Sequence, residues 1–420
     1  MTATEAPAPE KKEQPAKESF ATVFVQNLWS ANTVVVTILS IVLAMVIGAV
    51  LIVISDSDVL KTFGYFTSRP SDAITGSWNV ISSAYGNLFK GAILDPAAVS
   101  AWMHGTGTWQ GAFYSISETL TYAAPLVFTG LSVAVAFRGG LFNIGGQGQA
   151  TIGCITAAVA GFASGLPIVL NLIFALLAGL IGGAIWGFVP GILKARTGAH
   201  EVIITIMLNY TALLFLTWVI GVGGVHDPKR SDAISKAVPT SGQLPSFGGS
   251  LRVNLGIVLA VLVTAAVAWL LKSSAFGFEL RAVGANPAAS RTAGISVAKT
   301  YTLLMVVAGG LAGLGGAAQV LGTAYTLTPA VAGNIGFNGL LVALLGRNKA
   351  WGTLFAALLY GALQAGGNRM QSYAGISLEL VGVLQALIVI FVAAPALVKT
   401  IFHLRAARAA RLGASMAKGW

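Results

Sequence analysis

The chain has 420 residues, 55% of them apolar and only 9% charged, against roughly 25% charged residues in ordinary soluble domains. That balance argues against a water-soluble fold, and so do 51 glycines, which weaken soluble helices but suit membrane helices that pack backbone to backbone. A formal net charge of +11 would point to nucleic acid only if it formed a patch, so its distribution along the chain decides what it means.

Residues 1–32 come first and mix Glu5, Glu10, Glu13 and Glu18 with Lys11, Lys12 and Lys17 among Ala and Pro. They are expected to form a disordered cytoplasmic tail, and they lack the charged, apolar, small-residue pattern of a cleaved signal peptide. Beyond them, apolar runs recur at about 33 to 54, 117 to 137, 146 to 163, 168 to 190, 201 to 220, 254 to 271, 300 to 320, 335 to 346, 352 to 368 and 377 to 397. Runs of about 20 residues cross a hydrocarbon core of roughly 30 Å. The expected fold is therefore an all-α, polytopic membrane bundle of about ten helices over residues 33–397, followed by a basic cytoplasmic tail at 398–420. The eighth run is short, which predicts a broken or re-entrant segment.

A polar stretch with Asp56, Asp58, Asp72 and Asp95 separates the first two runs, and Asp227, Pro228, Lys229 and Arg230 lie between the fifth and sixth. With the N-terminus inside, the inner loops collect Arg138, Lys194, Arg196, Lys272, Arg281, Arg291, Lys299, Arg347 and Lys349. Short cytoplasmic loops carry the excess of Lys and Arg, so both termini are expected inside and the 55 to 116 stretch outside. Lys399, Arg405, Arg408, Arg411 and Lys418 in the last tail then read as an anionic-lipid contact beside the last helix, and no nucleic-acid partner is expected.

One motif recurs. Asn143-Ile144-Gly145-Gly146-Gln147-Gly148 opens the third run and Asn334-Ile335-Gly336-Phe337-Asn338-Gly339 opens the eighth. These two runs have opposite directions in this topology, so runs two to five would match runs seven to ten as inverted-repeat halves. Glycine-interrupted segments at matching places in inverted halves point to a transporter's substrate site. Carboxamides within apolar surroundings add to this, because such groups are costly unless used. Gln149, Asn209, Gln319 and Gln364 are read first as interhelical bonds. Asn143, Gln147 and Asn338 sit at the breaks and are the candidate substrate contacts, with Phe142 or Phe337 available to cover a flat ring. Groups that donate and accept at once suit a neutral polar ligand such as a nucleoside.

Other features have structural readings. Gly179, Gly183, Gly187 and Gly191 form a stripe on the fourth run, and Gly309, Ala312, Gly313 and Gly316 form another on the seventh; both predict close helix packing. Glu118, Glu201 and Glu379 lie at run starts and read as helix-end residues in a favourable dipole. Cys154, the single cysteine, reads as a small core residue. Catalytic and metal-binding residues and cofactors are not expected. His200-Glu201 begins like a zinc-protease motif, but position 204 is Ile where a second His would have to share the helix face. The P-loop pattern does not occur, so any driving ATPase is a separate chain. Pro287 suits the first turn of a helix and Gly294 its end, which predicts a helix of about two turns in the inner loop between Lys272 and Lys299.

Four segments carry a resemblance: Thr129 to Gln149, Glu201 to Tyr210, Leu280 to Gly294 and Val342 to Asn348. Over about residues 110 to 397 the chain resembles ABC-importer permeases of the simple-sugar and branched-chain amino-acid superfamily. Within it, the similarity is greatest to nucleoside-type permeases that work with a lipoprotein receptor. The family's Gly-Ala-Glu-Gly-Gln reads Gly145-Gly146-Gln147-Gly148-Gln149 here, with Gln147 in place of the acid. The resemblance implies a second homologous permease subunit, a cytoplasmic ABC ATPase and an external substrate-binding lipoprotein, all at a bacterial plasma membrane. It also implies that Arg281, Gly284, Asn286, Pro287, Ala289 and Gly294 belong to the segment that couples to the ATPase. Two alternatives stay open: the same importer class for simple sugars, and an ion-coupled secondary transporter. The latter normally needs an intramembrane acid, and the runs hold no Asp or Glu at mid-helix.

Overall fold

The computed structural model describes residues 33–403; the tail at 1–32 and most of that at 398–420 lie outside them. Sixteen α-helices follow one another in the described residues, and every expected run contains one. The first, α1 (Thr33–Ser55), is followed by α2 (Ser57–Phe63), α3 (Pro70–Ala92) and α4 (Pro96–Met103). The 55 to 116 stretch is thus helical for much of its length. Asp56 starts α2 by accepting from the N–H groups of Asp58 and Val59, and Asp95 starts α4 by accepting from Ala97; short acceptor side chains satisfy first-turn donors that have no helical partner. Next come α5 (Trp109–Arg138), α6 (Gly146–Ala163), α7 (Ile168–Thr197), α8 (Glu201–Ile220) and α9 (Gly256–Ser273). Two short helices, α10 (Ala275–Ala285) and α11 (Pro287–Thr292), lead to α12 (Val297–Gln319). The chain ends with α13 (Ile335–Leu345), α14 (Ala350–Ala374), α15 (Leu378–Ala393) and α16 (Pro395–Ile401).

Six of these helices are by themselves long and apolar enough to cross a membrane: α1, α5, α7, α8, α9 and α12, the last with its π-helical extension Val320–Ala324. A seventh candidate is α15 with α16, bent by 89° between them. The 11 residues of α13 reach only about 16 Å at 1.5 Å per residue, about half of a hydrocarbon core of roughly 30 Å, in keeping with its short run.

Helix partners are exchanged between two sets of four. In the first set, α5 packs on α13 and α14; in the second, α12 packs on α6 and α7. That is the pattern a two-fold relation between α5–α8 and α12–α15 requires. Small residues make both contacts close. A methyl group on Gly183 of α7 would collide with the Gly309 carbonyl and Gly313 Cα of α12, and one on Gly187 with the Met305 carbonyl. The equivalent contact between α5 and α14 uses Gly361 against the Thr119 carbonyl and Gly130 against Thr353. The glycine stripe of α7 therefore faces protein, and α7 and α12 meet at the backbone level that small residues allow.

Phe128, Leu131, Leu304, Met305 and Leu321 are fully buried around these crossings. Cys154 is also buried and its thiol donates to the Gly316 carbonyl at 3.2 Å, which fits a small core residue. The long 221–255 connection is tied to the end of α12: Val238 N–H donates to Tyr325, Leu244 N–H to Leu321, and Asn254 Nδ2 to Gly322. The π-turn leaves carbonyls without α-helical partners, and this connection supplies the donors.

Candidate functional site

The two N-I-G-x-x-G motifs place helix starts against each other. Asn143 to Gly145 precede α6, Asn334 precedes α13, and a methyl group on Gly336 would run into the backbone of Gln147. Neither Gly145 nor Asn334 caps its own helix through a side chain. The first-turn donors are met from across the junction instead. Gln147 Oε1 accepts from Gly336 N–H at 2.9 Å while its Nε2 donates to the Gly333 carbonyl at 2.7 Å. Asn209 of α8 accepts from Gly148 N–H at 2.8 Å and donates to the Ile144 carbonyl at 3.0 Å. Thr129 of α5 donates to the Ile335 carbonyl at 2.9 Å. Two positive helix ends therefore meet inside the bundle.

The candidate residues occupy different layers of this junction. Asn143 is buried, donating to Ser132 Oγ at 3.0 Å and Gln149 Oε1 at 2.7 Å and accepting from Gln149 Nε2 at 3.1 Å. Its carboxamide is committed to holding the break. Gln147 bridges the two breaks, while Asn338 is half-buried in the first turn of α13. Phe142 and Phe337 are both exposed, and Phe142 packs edge-on to Phe137 with ring centroids 4.8 Å apart. The geometry can offer peptide N–H groups, carboxamides and ring faces to a polar, uncharged molecule. Among the described residues, no three His, Cys, Asp or Glu side chains come together to hold a metal ion.

Glu201 and Glu379 stand in first turns, as expected of helix-end residues, and Glu201 also pairs with Lys194 at 2.9 Å. Glu118 differs. The helix α5 begins at Trp109, so Glu118 lies in its third turn, where it pairs with Arg252 at 2.9 Å. Nearby, Arg369 of α14 pairs with Asp95 at 2.5 Å, and Asn368 donates to the Tyr122 hydroxyl at 2.9 Å. Glu118, Asn368, Arg369, Tyr114 and Tyr373 line a cavity of about 330 Å³ at the Trp109 end of α5. The roles of Arg252 and Arg369 are not visible in the sequence, since their partners lie 134 and 274 positions away.

At the opposite end of α5, the predicted two-turn helix is present as α11. Asn286 caps it by accepting from the N–H groups of Ala288 and Ala289, Pro287 takes its first position, and Gly294 follows with φ of 84°. Asn286, Pro287, Ala289 and Gly294 are all exposed, and Ser290 alone of the six α11 residues is buried. Gly284 and Arg281 belong to the preceding helix, α10. A methyl group on Gly284 would strike the Arg138 carbonyl, so Gly284 serves as a contact between α10 and the end of α5.

The profile described as "Branched-chain amino acid transport system / permease component" matches residues 115–393. The guanosine ABC transporter permease NupP of Bacillus subtilis is 40% identical over 290 residues, covering 68% of this chain and 83% of that protein. The nucleoside ABC transporter permease NupB of Lactococcus lactis is 39% identical over 297 residues, covering 67% and 80%. The glucose ABC transporter permease TsgB13 of Haloferax volcanii is 30% identical over 288 residues, covering 66% and 76%.

Proposed function

The chain belongs to the branched-chain amino acid transport system permease family, and from that premise we propose that it is the membrane-spanning subunit of an ATP-driven importer of nucleosides. The observation that carries the cargo is the identity of 40% and 39% to a guanosine and a nucleoside permease, against 30% to a glucose permease. A junction of carboxamides, helix N-termini and two exposed phenylalanines agrees with a flat, neutral, polar ligand. The importer would pair this chain with a second homologous permease, draw ATP hydrolysis from a cytoplasmic ABC ATPase and receive its ligand from an external binding lipoprotein. Differential contacts at the ATPase would bias inward-open against outward-open states. The test is uptake by the reconstituted complex: labelled guanosine and uridine should accumulate with ATP and compete with each other. Accumulation of glucose or ribose without competition from nucleosides would move the chain to the sugar carriers.

Within this reading, Gln147, Asn338, Phe142 and Phe337 touch the ligand, and Asn143 positions the break that presents them. Gln147→Ala, Asn338→Ala and Asn143→Ala are expected to lower nucleoside uptake about tenfold each, the scale of one lost buried hydrogen-bonding partner. The ATPase should still co-purify with all three. Wild-type uptake by the whole set would place the ligand elsewhere.

The same reading puts α11 in the cytoplasm and α3 outside. Ser71 and Ala293 are exposed near these two elements, and the native thiol of Cys154 is buried, so background labelling should be low. In intact cells an impermeant maleimide should modify Ser71→Cys and spare Ala293→Cys. The opposite result inverts the topology.

A further inference from the structure

A second cavity, of about 450 Å³, opens between the end of α9, α10 and the turn joining α13 to α14. Arg138, Lys272, Arg281 and Lys349 line it, and none of its walls is an acid. These four cations take part in none of the ion pairs found among the described residues. Arg138 spends one donor on the Asn348 carbonyl at 3.0 Å. Glu279, close to Arg281 in sequence, is not part of the lining. Four gathered positive charges without a counter-charge repel one another, and an anion in the space between them removes that cost.

The other walls say which anion. Ala268, Leu271 and Trp351 give the cavity an apolar side, which a small hydrated ion does not need. The cavity sits where a spanning helix ends: Lys272 is in the last turn of α9 and Trp351 in the first turn of α14. Trp351 is 47% exposed and Trp269, one turn from the end of α9, is 64% exposed. Exposed tryptophans at helix ends mark the level of lipid headgroups, and basic pockets between helices at that level suit phosphate-bearing headgroups. The Asn348 side-chain oxygen is buried there without a partner, an acceptor for a headgroup hydroxyl.

We propose that this cavity binds the phosphate of an anionic phospholipid with a hydroxylated headgroup, its acyl chains lying along α9. Native mass spectrometry of the purified full-length chain in detergent tests it, with phosphatidylglycerol or phosphatidylcholine added at equal concentration. The expected result is preferential retention of phosphatidylglycerol, lowered about thirty-fold by combining Lys272→Gln with Lys349→Gln, at about fivefold per cation near a membrane surface. Arg291→Gln with Lys299→Gln removes two exposed cations outside the cavity and should leave retention unchanged. Equal retention of both lipids by the wild-type chain overturns the proposal, as does an equal loss in the control pair. Displacement of the lipid by inorganic phosphate at the same concentration would make the site one for free phosphate. Protection of a Lys272→Cys thiol by the ATPase but not by lipid would make it a protein contact.

Discussion

Replacing Thr292 by proline is expected to abolish uptake while the chain still inserts and the external receptor still binds its ligand. The reasoning starts from the small size of α11. Six residues form it, held by the Asn286 cap at one end and released at Gly294, whose φ of 84° ends the turn. A helix this short survives only if every bond in it is made. Proline at its last position removes the N–H of residue 292 and drives its ring against the Ala288 carbonyl, a cost of roughly 3 kcal/mol or more. The segment has no large buried anchor to offset that, since Ser290 is its single buried residue. If this exposed helix is where the ATPase docks, the complex loses the rigid element that turns ATP hydrolysis into helix movement. Stimulation of ATPase activity by loaded receptor is the measurement. It should fall to the basal rate in Thr292→Pro and persist in Thr292→Ala, which keeps the backbone bond. Wild-type stimulation in the proline variant would reduce α11 to a connector.

How far such elements can be read beforehand depends on whether their signal is local. The caps of α11 are adjacent residues, and the breaks before α6 and α13 announce themselves as repeated glycine motifs, so all three are legible. The helix α3 is not. Asp72, Ser77, Asn79 and Asn87 interrupt its apolar residues, and it is held by Ala84, Leu88 and Gly91, with Gly91 against Ala365, Gly366 and Arg369 of α14. Such a helix lacks the continuous run that marks a crossing. The start of α5 is hidden for the same reason: Ser115 and Thr119 find their acceptors in the carbonyls of Lys90 and Ala92, which no local pattern reveals. At the candidate site, the sequence identifies Asn143, Gln147 and Asn209 as unusual residues, but not that Asn143 turns inward to Gln149 while Gln147 reaches across to Gly333 and Gly336. Partner choice between carboxamides is decided by tertiary placement, because each can donate and accept.

Gly183→Leu is expected to prevent recovery of the folded chain, and here the geometry allows a graded test. The methyl group of alanine already meets the Gly309 carbonyl and Gly313 Cα, which are backbone atoms of α12 and cannot rotate away. Relief requires α7 and α12 to separate, which also lifts Gly179 off Ala317 and Gly187 off Met305. Overpacking of a dense core costs about 1–3 kcal/mol when side chains can yield, and the cost is larger where only backbone can. Leucine adds three further carbons to the same closed space. Gly382 of α15 supplies the control, since it is exposed and a methyl group there meets nothing within 4 Å. Thermal unfolding followed by size-exclusion chromatography should rank the chains as wild type and Gly382→Leu together, Gly183→Ala markedly lower, and Gly183→Leu absent from the monodisperse peak. A Gly183→Leu chain that elutes and melts like the wild type would mean that α7 and α12 do not meet at their backbones, and the exchange of partners that relates the two four-helix sets would lose one of its two contacts.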